Sequence, residues 1–276
     1  FFTRPSQSAD ILEPNSRETG GNALDILELR KVNKRFGGVH AIKELDLTVT
    51  QGTVHGLIGP NGSGKTTTFN VISGVFPPTD GQIFFGGRDI TGLPAYEIAR
   101  LGISRTFQIP KVMGRMSVLD NVMCGYFAKT KTEAADTFLH APFRASRQER
   151  AMRERAMEQL AFVGLERSAG RWARDLAWAD QHLLQIARAL ATGPKLLLLD
   201  EPTAGMGAEE SARLEALIRQ IKEQGTSIIL IAHDVKLVTR SSDVVTAIEF
   251  GAKIAEGLPE EVKNHPKVVE AYLGTD

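Results

Sequence analysis

The chain has 276 residues, enough for one large domain or two small ones, and its apolar content of 42% is typical of a globular protein. Its 33 basic and 33 acidic residues balance, so the sequence lacks the basic excess of a nucleic-acid-binding protein. No apolar run approaches the roughly 18 residues that a membrane span requires, and the one cysteine excludes a disulfide within these residues.

The first 24 residues differ in character from the rest. Residues 1–24 are polar, contain two prolines and a glycine pair, and have no helical or strand periodicity. We predict a flexible or extended lead-in there, which would suit a linker within a longer polypeptide. Residues 25–276 are then expected to form the folded domain.

The hydrophobic pattern predicts an α/β protein. Apolar and β-branched segments bounded by Gly, Asp and Asn predict strands near residues 26–32, 42–49, 53–58, 82–85, 195–199, 226–231 and 243–250. The first of these are closely spaced and should pair antiparallel, whereas the later ones alternate with helices and should form a mainly parallel sheet. Between about residues 110 and 190 helical patterning dominates, which predicts a separate helical subdomain. Within it, the arginine-rich stretch at 144–159 is interpreted as a solvated helix face.

A phosphate-binding loop is the strongest chemical signal. Residues 59–66 read GPNGSGKT and match G-x-x-x-x-G-K-[ST] in full, between an apolar strand and a helix-like segment. Backbone N–H groups of such a loop turn inward around phosphate oxygens, and the helix that follows adds the positive end of its dipole. Lys65 is expected to reach the β- and γ-phosphates, and the Thr66 hydroxyl to bind Mg²⁺. The predicted nucleotide contacts in this region are Asn61, Gly62, Ser63, Gly64, Lys65, Thr66 and Thr67.

An acidic pair supplies the second half of the predicted site. Residues 196–199 are four consecutive leucines, as expected of a buried parallel strand, and Asp200 and Glu201 follow at its carboxyl end. Asp200 is predicted to hold Mg²⁺ and Glu201 to polarise the attacking water. A helix cap or a solvated turn would explain such a pair on its own, but the phosphate-binding loop favours the catalytic interpretation.

With these motifs, residues 25–275 resemble the ATP-binding subunit of an ABC transporter. Gln108 in RTFQIP matches that family's Q-loop glutamine, which contacts Mg²⁺ and senses the γ-phosphate. His233 in LIAHD matches its switch histidine, which bridges the γ-phosphate and the attacking water, and Phe36 in KRFGG matches the aromatic residue that stacks on adenine. The implied fold is a P-loop NTPase cassette with a mainly parallel sheet, an antiparallel β subdomain and a helical subdomain. The implied cofactors are ATP and Mg²⁺.

Longer segments narrow the resemblance. The segments KRFGGVHAI and ITGLPAYEIARLGISRTFQIP, the arginine-rich insert and the ending AEGLPEEVKNHPKVVEAYLG are similar to ATPases of high-affinity branched-chain amino-acid importers. Their relatives also carry amides, urea and aromatic acids. This resemblance implies a place on the cytoplasmic face of the cell membrane. It also implies a second ATPase subunit, two permease subunits and a substrate-binding protein as partners, and no nucleic acid.

One motif departs from the family pattern. Where the family has LSGGQ or LSYGQQ, residues 176–181 read LAWADQ, so Ala177 lacks the Ser hydroxyl, Ala179 replaces Gly and Asp180 replaces Gln. In the family this segment closes over the γ-phosphate held by the partner subunit, where Asp180, although a good helix cap, would face an anion. Gly207 also replaces the usual Asn or Asp of a segment that contacts the partner. We therefore predict a heterodimer with two unequal ATP sites.

Three alternatives stay open at the level of sequence. The altered signature is also compatible with a nucleotide-binding structural subunit of low turnover. An exporter ATPase shares much of the early sequence but is disfavoured by the insert at 128–160 and by the ending. A soluble cassette ATPase of translation or DNA repair would usually carry two cassettes or a coiled-coil insertion, and the chain has neither.

Overall fold

The computed structural model describes residues 24–127, 141–232 and 234–273. Its first sheet has four antiparallel strands in the order β2-β1-β4-β5. These strands are β1 (Asp25–Phe36), β2 (Val39–Thr50), β4 (Asp80–Phe85) and β5 (Arg88–Asp89). The predicted antiparallel pairing of the early strands is confirmed for β1, β2 and β4. The predicted lead-in falls almost entirely on residues 1–23, which lie outside the described residues.

The second sheet has six strands and carries the predicted parallel core. Its order is β10-β9-β3-β8-β7-β6, with β10 antiparallel to β9 and all other neighbours parallel. The strands are β3 (Val54–Ile58), β6 (Ile103–Arg105), β7 (Leu196–Asp200), β8 (Ser227–Ile231), β9 (Val244–Glu249) and β10 (Ala252–Gly257). Every residue of β3, β7 and β8 is buried, which explains why these strands read as continuous apolar runs.

Three strands were not predicted, and each carries a weak signal. β5 has two residues and β6 only three, shorter than the pattern from which a strand is inferred. β10 lies at the edge of its sheet, where its residues are only partly buried and include charged side chains. The strand predicted at 243–250 ends at residue 249, because Phe250 and Gly251 form the turn into β10 with positive φ angles.

Helices cover both faces of the parallel sheet. They are α1 (Lys65–Ile72), α2 (Ala95–Leu101), α3 (Val118–Phe127), α4 (Ala141–Val163), α5 (Trp178–Ala191), α6 (Ala208–Glu223), α7 (Val235–Ser241), α8 (Pro259–Lys263) and α9 (Pro266–Leu273). The described part of the predicted helical stretch contains α3, α4 and α5, which pack on one another. On α4 the exposed Arg150 and Glu154 form an i,i+4 ion pair, as expected of a solvated face. Within the described residues, no helix combines the length and apolar character needed to cross a membrane.

The parallel sheet separates two hydrophobic clusters. Along β7, Leu197 and Leu199 join the cluster that includes α3, α4 and α5, whereas Leu196 and Leu198 join the cluster under the antiparallel sheet. This alternation is the period-2 geometry of a strand buried on both faces. The carboxyl ends of β3, β6, β7 and β8 therefore meet along one edge of a sheet whose central strands are buried, which is where such sheets place their ligands.

Candidate functional site

The predicted phosphate-binding loop joins β3 to α1. Gly64 lies immediately before α1 with φ of 106°, and a Cβ at this position would lie 2.6 Å from the carbonyl oxygen of Ala41. Gly62 also has a positive φ of 76°. Only glycine fits at position 64, because it combines a left-handed conformation with close approach to a neighbouring backbone. The loop therefore leads directly into the N-terminus of α1, as the phosphate-binding motif predicts.

Lys65 begins α1, and its side chain lies back across the loop. Its Nζ donates hydrogen bonds to the carbonyl oxygens of Gly59 at 2.7 Å and Pro60 at 2.9 Å. Burial lowers the pKa of Lys65, while the neighbouring carboxylates of Glu201 and Asp200 act in the opposite direction. The Lys65 ammonium is thus poised between the loop and the acidic pair, where the β- and γ-phosphates of a nucleotide would compete for it.

The acidic pair is buried at the end of β7, and one member contacts Gln108. The Asp200 and Glu201 residues are only 3% and 7% exposed. Gln108, which follows β6, donates from Nε2 to Oε2 of Glu201 at 2.6 Å. Glu201 has φ of 47°, an uncommon backbone conformation for a non-glycine residue, and such strain is found where the fold fixes a functional side chain. The structure thus brings together two residues that the sequence separates by 93 positions.

These groups surround one cavity of about 430 Å³. The predicted residues that line it are Asn61, Gly62, Ser63, Gly64, Lys65, Thr66, Thr67, Gln108 and Glu201. Val39, His40, Ala41, Lys43 and Phe250 complete the wall. Phe250 is an exposed aromatic residue in the β9–β10 turn, and neither a motif nor a periodic pattern indicated that it would line the cavity. The volume is within the range of cofactor sites, and the wall combines anion-binding and acidic groups as a magnesium nucleotide requires.

Asp200 has a partner that sequence reasoning missed. Arg105, the last residue of β6, donates from Nη2 to Oδ2 of Asp200 at 2.7 Å, and both side chains are almost fully buried. The same guanidinium donates from Nη1 to Asn70 Oδ1 and, at 3.2 Å, to Ser73 Oγ, which ties the acidic strand end to α1. A basic residue three positions before Gln108 was the available signal, but β6 itself was not predicted. Arg105 holds Asp200 in place beside the loop.

The side chains suggested for Mg²⁺ supply oxygen atoms, which fit that ion. They are the Thr66 hydroxyl, the Gln108 amide oxygen and the Asp200 carboxylate. Mg²⁺ prefers oxygen ligands, keeps several waters, and commonly uses one or two carboxylates together with phosphate oxygens. Thr66 and Gln108 line the cavity, whereas the Asp200 carboxylate lies behind it in its pair with Arg105. The donor set is compatible with Mg²⁺ held mainly through the nucleotide and water.

The two other predicted site residues are Phe36 and His233. Phe36 is 45% exposed at the end of β1 and is not among the residues that line the cavity. Its ring meets that of Phe76 edge to face at 5.1 Å, and Lys34 Nζ lies over both rings. The contact of Phe36 with adenine therefore stays a prediction. His233 lies outside the described residues, immediately after the end of β8 and Ala232.

The altered signature segment forms the start of α5. Ala177 precedes the helix, and no side chain caps it. Asp180, expected from the sequence to be a good cap, instead occupies the first turn. The cap expectation was wrong because the helix begins at Trp178, two residues earlier. Trp178 donates from Nε1 to the carbonyl oxygen of Ala204 at 2.8 Å, so this segment contacts the loop that follows Glu201 within the same chain.

The chain matches two protein-family models. Residues 42–204 match the ABC transporter family, and this match covers more than half of the chain. The chain belongs to the ABC transporter family. Residues 252–276 of the cassette also match the family described as branched-chain amino acid ATP-binding cassette transporter. The recognition made from the motifs is confirmed.

Individual relatives agree with both matches. The cassette is 39% identical over 250 residues to the high-affinity branched-chain amino acid transport ATP-binding protein LivG of Salmonella typhimurium. It is 41% identical over 251 residues to the corresponding protein BraF of Pseudomonas aeruginosa. Each alignment covers 90% of this chain and 98% of the relative. The solved ADP conformation of MJ1267, an ATP-binding cassette of an ABC transporter, superposes with a TM-score of 0.80 at 32% identity, covering 91% of this chain and 100% of that one.

These findings fix the general activity and the fold. The chain is the ATP-binding and ATP-hydrolysing subunit of an ABC transporter, and its fold is that of an ABC cassette. A subunit of this kind works with membrane permease subunits, with which it associates peripherally. The predictions of fold class, enzymatic activity and nucleotide binding are confirmed. The roles of individual site residues, the metal and the partner ATPase stay predictions.

Proposed function

We propose that this cassette powers the uptake of branched-chain amino acids or of related small carboxylates and amides. The support is the match of its C-terminal residues, 252–276, to a branched-chain amino acid cassette family, together with the branched-chain amino acid transport for which LivG and BraF are named. Hydrolysis at this chain's own site rests on one observation above all. Gln108 and Glu201 are in direct hydrogen-bond contact on the wall of the cavity that the phosphate-binding loop forms.

The proposed chemistry assigns one task to each group. Backbone N–H groups of the loop and Lys65 hold the phosphates, and bound Mg²⁺ would neutralise charge that develops on their oxygens. Glu201 orients the attacking water and accepts its proton, while Gln108 positions the Glu201 carboxylate through the 2.6 Å hydrogen bond. His233 is proposed to complete the γ-phosphate contacts. Phe36 is proposed to stack on the adenine ring.

Replacing the proposed base tests this assignment. Glu201→Gln keeps the shape of the side chain but removes the carboxylate, so nucleotide binding should persist while hydrolysis falls by at least about 100-fold. Calorimetry would give the ATP affinity, and phosphate release from the reconstituted transporter would give the turnover. Glu154→Gln, on the exposed face of α4, is the matched control and should leave both unchanged. Unchanged turnover in Glu201→Gln would reject Glu201 as the base.

We also propose that the ATPase pair is a heterodimer with unequal sites. The cassette retains Lys65, Asp200 and Glu201 for its own site but has Ala177, Ala179 and Asp180 in the segment that would close over the partner's nucleotide. In a homodimer both sites would meet this segment. Losing a single donor to a developing anion costs about 3 kcal/mol, or roughly 100-fold in rate. A different partner with an intact signature confines that loss to one site.

Restoring the family pattern tests the proposed asymmetry. The triple substitution Ala177→Ser, Ala179→Gly and Asp180→Gln should raise single-turnover hydrolysis at the partner's site and leave this chain's own site unchanged. A rate unaffected at both sites would instead show that these three substitutions are neutral for hydrolysis. Low turnover at both sites, with nucleotide still bound, would favour the alternative of a structural nucleotide-binding subunit.

The remaining partners follow from the proposed transport direction. The transporter would have two permease subunits. One of them would dock on this chain in a groove of about 350 Å³ beside the segment after Gln108, whose apolar lining includes Val75, Phe107, Met113 and Ala189. This docking places the cassette on the cytoplasmic face of the membrane. An importer also needs a substrate-binding protein on the opposite face. Stimulation of ATP hydrolysis by that protein loaded with a branched-chain amino acid would support uptake, whereas hydrolysis indifferent to it would favour the exporter alternative.

A further inference from the structure

The phosphate-binding loop is bonded to the far end of the chain. The backbone N–H of Gly59, the first residue of the loop motif, donates to the Tyr272 hydroxyl oxygen at 2.9 Å, across 213 positions of sequence. Gly59 is also tightly packed, since a Cβ there would lie 2.1 Å from the carbonyl oxygen of Ile248. With so little space around Gly59, the Tyr272 hydroxyl is the partner that satisfies its N–H group. An unpaired N–H in such a place would be unfavourable.

A second bond holds the middle of the loop. The N–H of Gly251 donates to the carbonyl oxygen of Ser63 at 2.9 Å, and the N–H of Lys43 donates to the carbonyl oxygen of Gly251 at 2.8 Å. Gly251 has φ of 85°, and a Cβ there would lie 2.7 Å from the carbonyl oxygen of Ala41. The β9–β10 turn is therefore fixed against both the loop and β2, and glycine is required for that approach.

Helix α9 is anchored in a way that positions Tyr272. Val268 on α9 is buried in the main hydrophobic cluster, as is Val262 on the preceding helix. Tyr272 lies four residues after Val268, so the two side chains leave the same face of the helix. Packing of Val268 thus directs the tyrosine toward the loop. Partial burial raises the pKa of Tyr272 above its ordinary value, at which the hydroxyl is already protonated at neutral pH.

We propose that residues 251–273, the C-terminal segment, hold the phosphate-binding loop in its nucleotide-binding conformation, with Tyr272 as the positioning residue. This proposal rests on the proposed phosphate-binding role of residues 59–66. Without the Tyr272 hydroxyl, the start of the loop would sample conformations that do not bind phosphate. The apparent affinity for nucleotide falls in proportion to the fraction of molecules that lose the binding conformation.

The conservative variant Tyr272→Phe tests the proposal without disturbing the packing of the ring. We expect affinities for both ADP and ATP to fall by about 3- to 10-fold, the range that corresponds to loss of one neutral hydrogen bond. Without nucleotide, amide hydrogen exchange in a peptide covering residues 57–62 should be faster in Tyr272→Phe than in the native protein. Tyr126→Phe is the matched control, because the Tyr126 hydroxyl is also hydrogen-bonded to the backbone, donating to the carbonyl oxygen of Arg155 on α4. It should change neither readout.

Three outcomes separate the possibilities. Faster exchange together with weaker binding in Tyr272→Phe alone supports the positioning role. Native exchange and native affinity in Tyr272→Phe would overturn it, as would equal effects of Tyr126→Phe, which would mean a general loss of stability. Lys65→Ala distinguishes the two levels of the argument. If Lys65→Ala binds nucleotide as tightly as the native chain, the proposed phosphate site is wrong and the positioning role is overturned with it. If Lys65→Ala weakens nucleotide binding but Tyr272→Phe changes neither hydrogen exchange nor affinity, only the positioning role is wrong.

Discussion

The buried ion pair between Arg105 and Asp200 should be the most sensitive charge contact of the site. In Arg105→Met the apolar stem is kept and only the guanidinium is removed, so loss of packing is small. Asp200 is then left as a buried carboxylate that has lost its partner at 2.7 Å. Asn70 and Ser73 lose their bonds to the same guanidinium. The perturbation therefore falls on charge and hydrogen bonding rather than on volume.

The magnitude follows from the burial of both partners. The two side chains are 7% and 4% exposed, and removing one member of such a pair costs about 3 to 5 kcal/mol. The matched control is Arg150→Met on α4, whose ion pair with Glu154 is 82% and 65% exposed. An exposed pair contributes at most about 1 kcal/mol, and Met and Arg have similar helix propensities. The two variants should thus differ by at least about 2 kcal/mol in free energy of unfolding.

Urea unfolding with and without magnesium nucleotide measures this difference. We expect Arg105→Met to lose stability in the absence of nucleotide and to regain part of it when magnesium nucleotide binds, because Mg²⁺ would supply positive charge near Asp200. Arg150→Met should follow the native protein in both conditions. A loss below about 1 kcal/mol in Arg105→Met would show that Asp200 does not depend on this partner and would refute the reasoning.

Three further predictions concern separate parts of the cassette. Burial lowers the pKa of His55 to about 4 from 6.5, so the unfolded chain binds the extra proton first. The contribution of neutral His55 to the free energy of unfolding is complete above about pH 6.5 and is lost as the pH falls toward 4, by up to about 3 kcal/mol. His55→Gln should remove that part of the pH dependence in urea titrations. Lys65→Ala should weaken ATP binding measured by calorimetry, because it removes the charge that the β- and γ-phosphates would contact. Trp178→Phe loses the hydrogen bond to the Ala204 carbonyl and should lower the free energy of unfolding by about 0.5 to 1.5 kcal/mol. An unchanged free energy of unfolding would show that this hydrogen bond does not stabilise the fold.

The sequence was most informative where local pattern and chemistry coincide. The loop at 59–66 and the leucine strand before Asp200 are contiguous, so their place at the carboxyl ends of parallel strands could be predicted, and the structure has them there. The contact between Gln108 and Glu201 could be expected only from family resemblance, because the two residues follow different strands, β6 and β7. No pattern within one segment encodes a pairing between segments.

What could not be predicted depended on edges and on distant contacts. The edge strand β10 lacks the continuous burial, and the three-residue β6 lacks the length, from which a strand can be inferred in a sequence. Arg105 was missed with β6, since its role arises only when that strand lies beside β7. The Tyr272 bond to Gly59 likewise requires the fold to bring together two residues that lie 213 positions apart in the sequence. Tertiary packing, rather than local propensity, decides these contacts.

Single-turnover ATP hydrolysis in the reconstituted transporter tests the central claim most directly. In one preparation Glu201→Gln blocks this cassette's own site, and in the other the corresponding glutamate of the partner ATPase is replaced. We expect fast hydrolysis when only the site of Lys65, Gln108 and Glu201 is active, and slow hydrolysis when only the site that faces Ala177 and Asp180 is active. Equal rates in the two preparations, or full activity of this chain as a homodimer, would contradict the account.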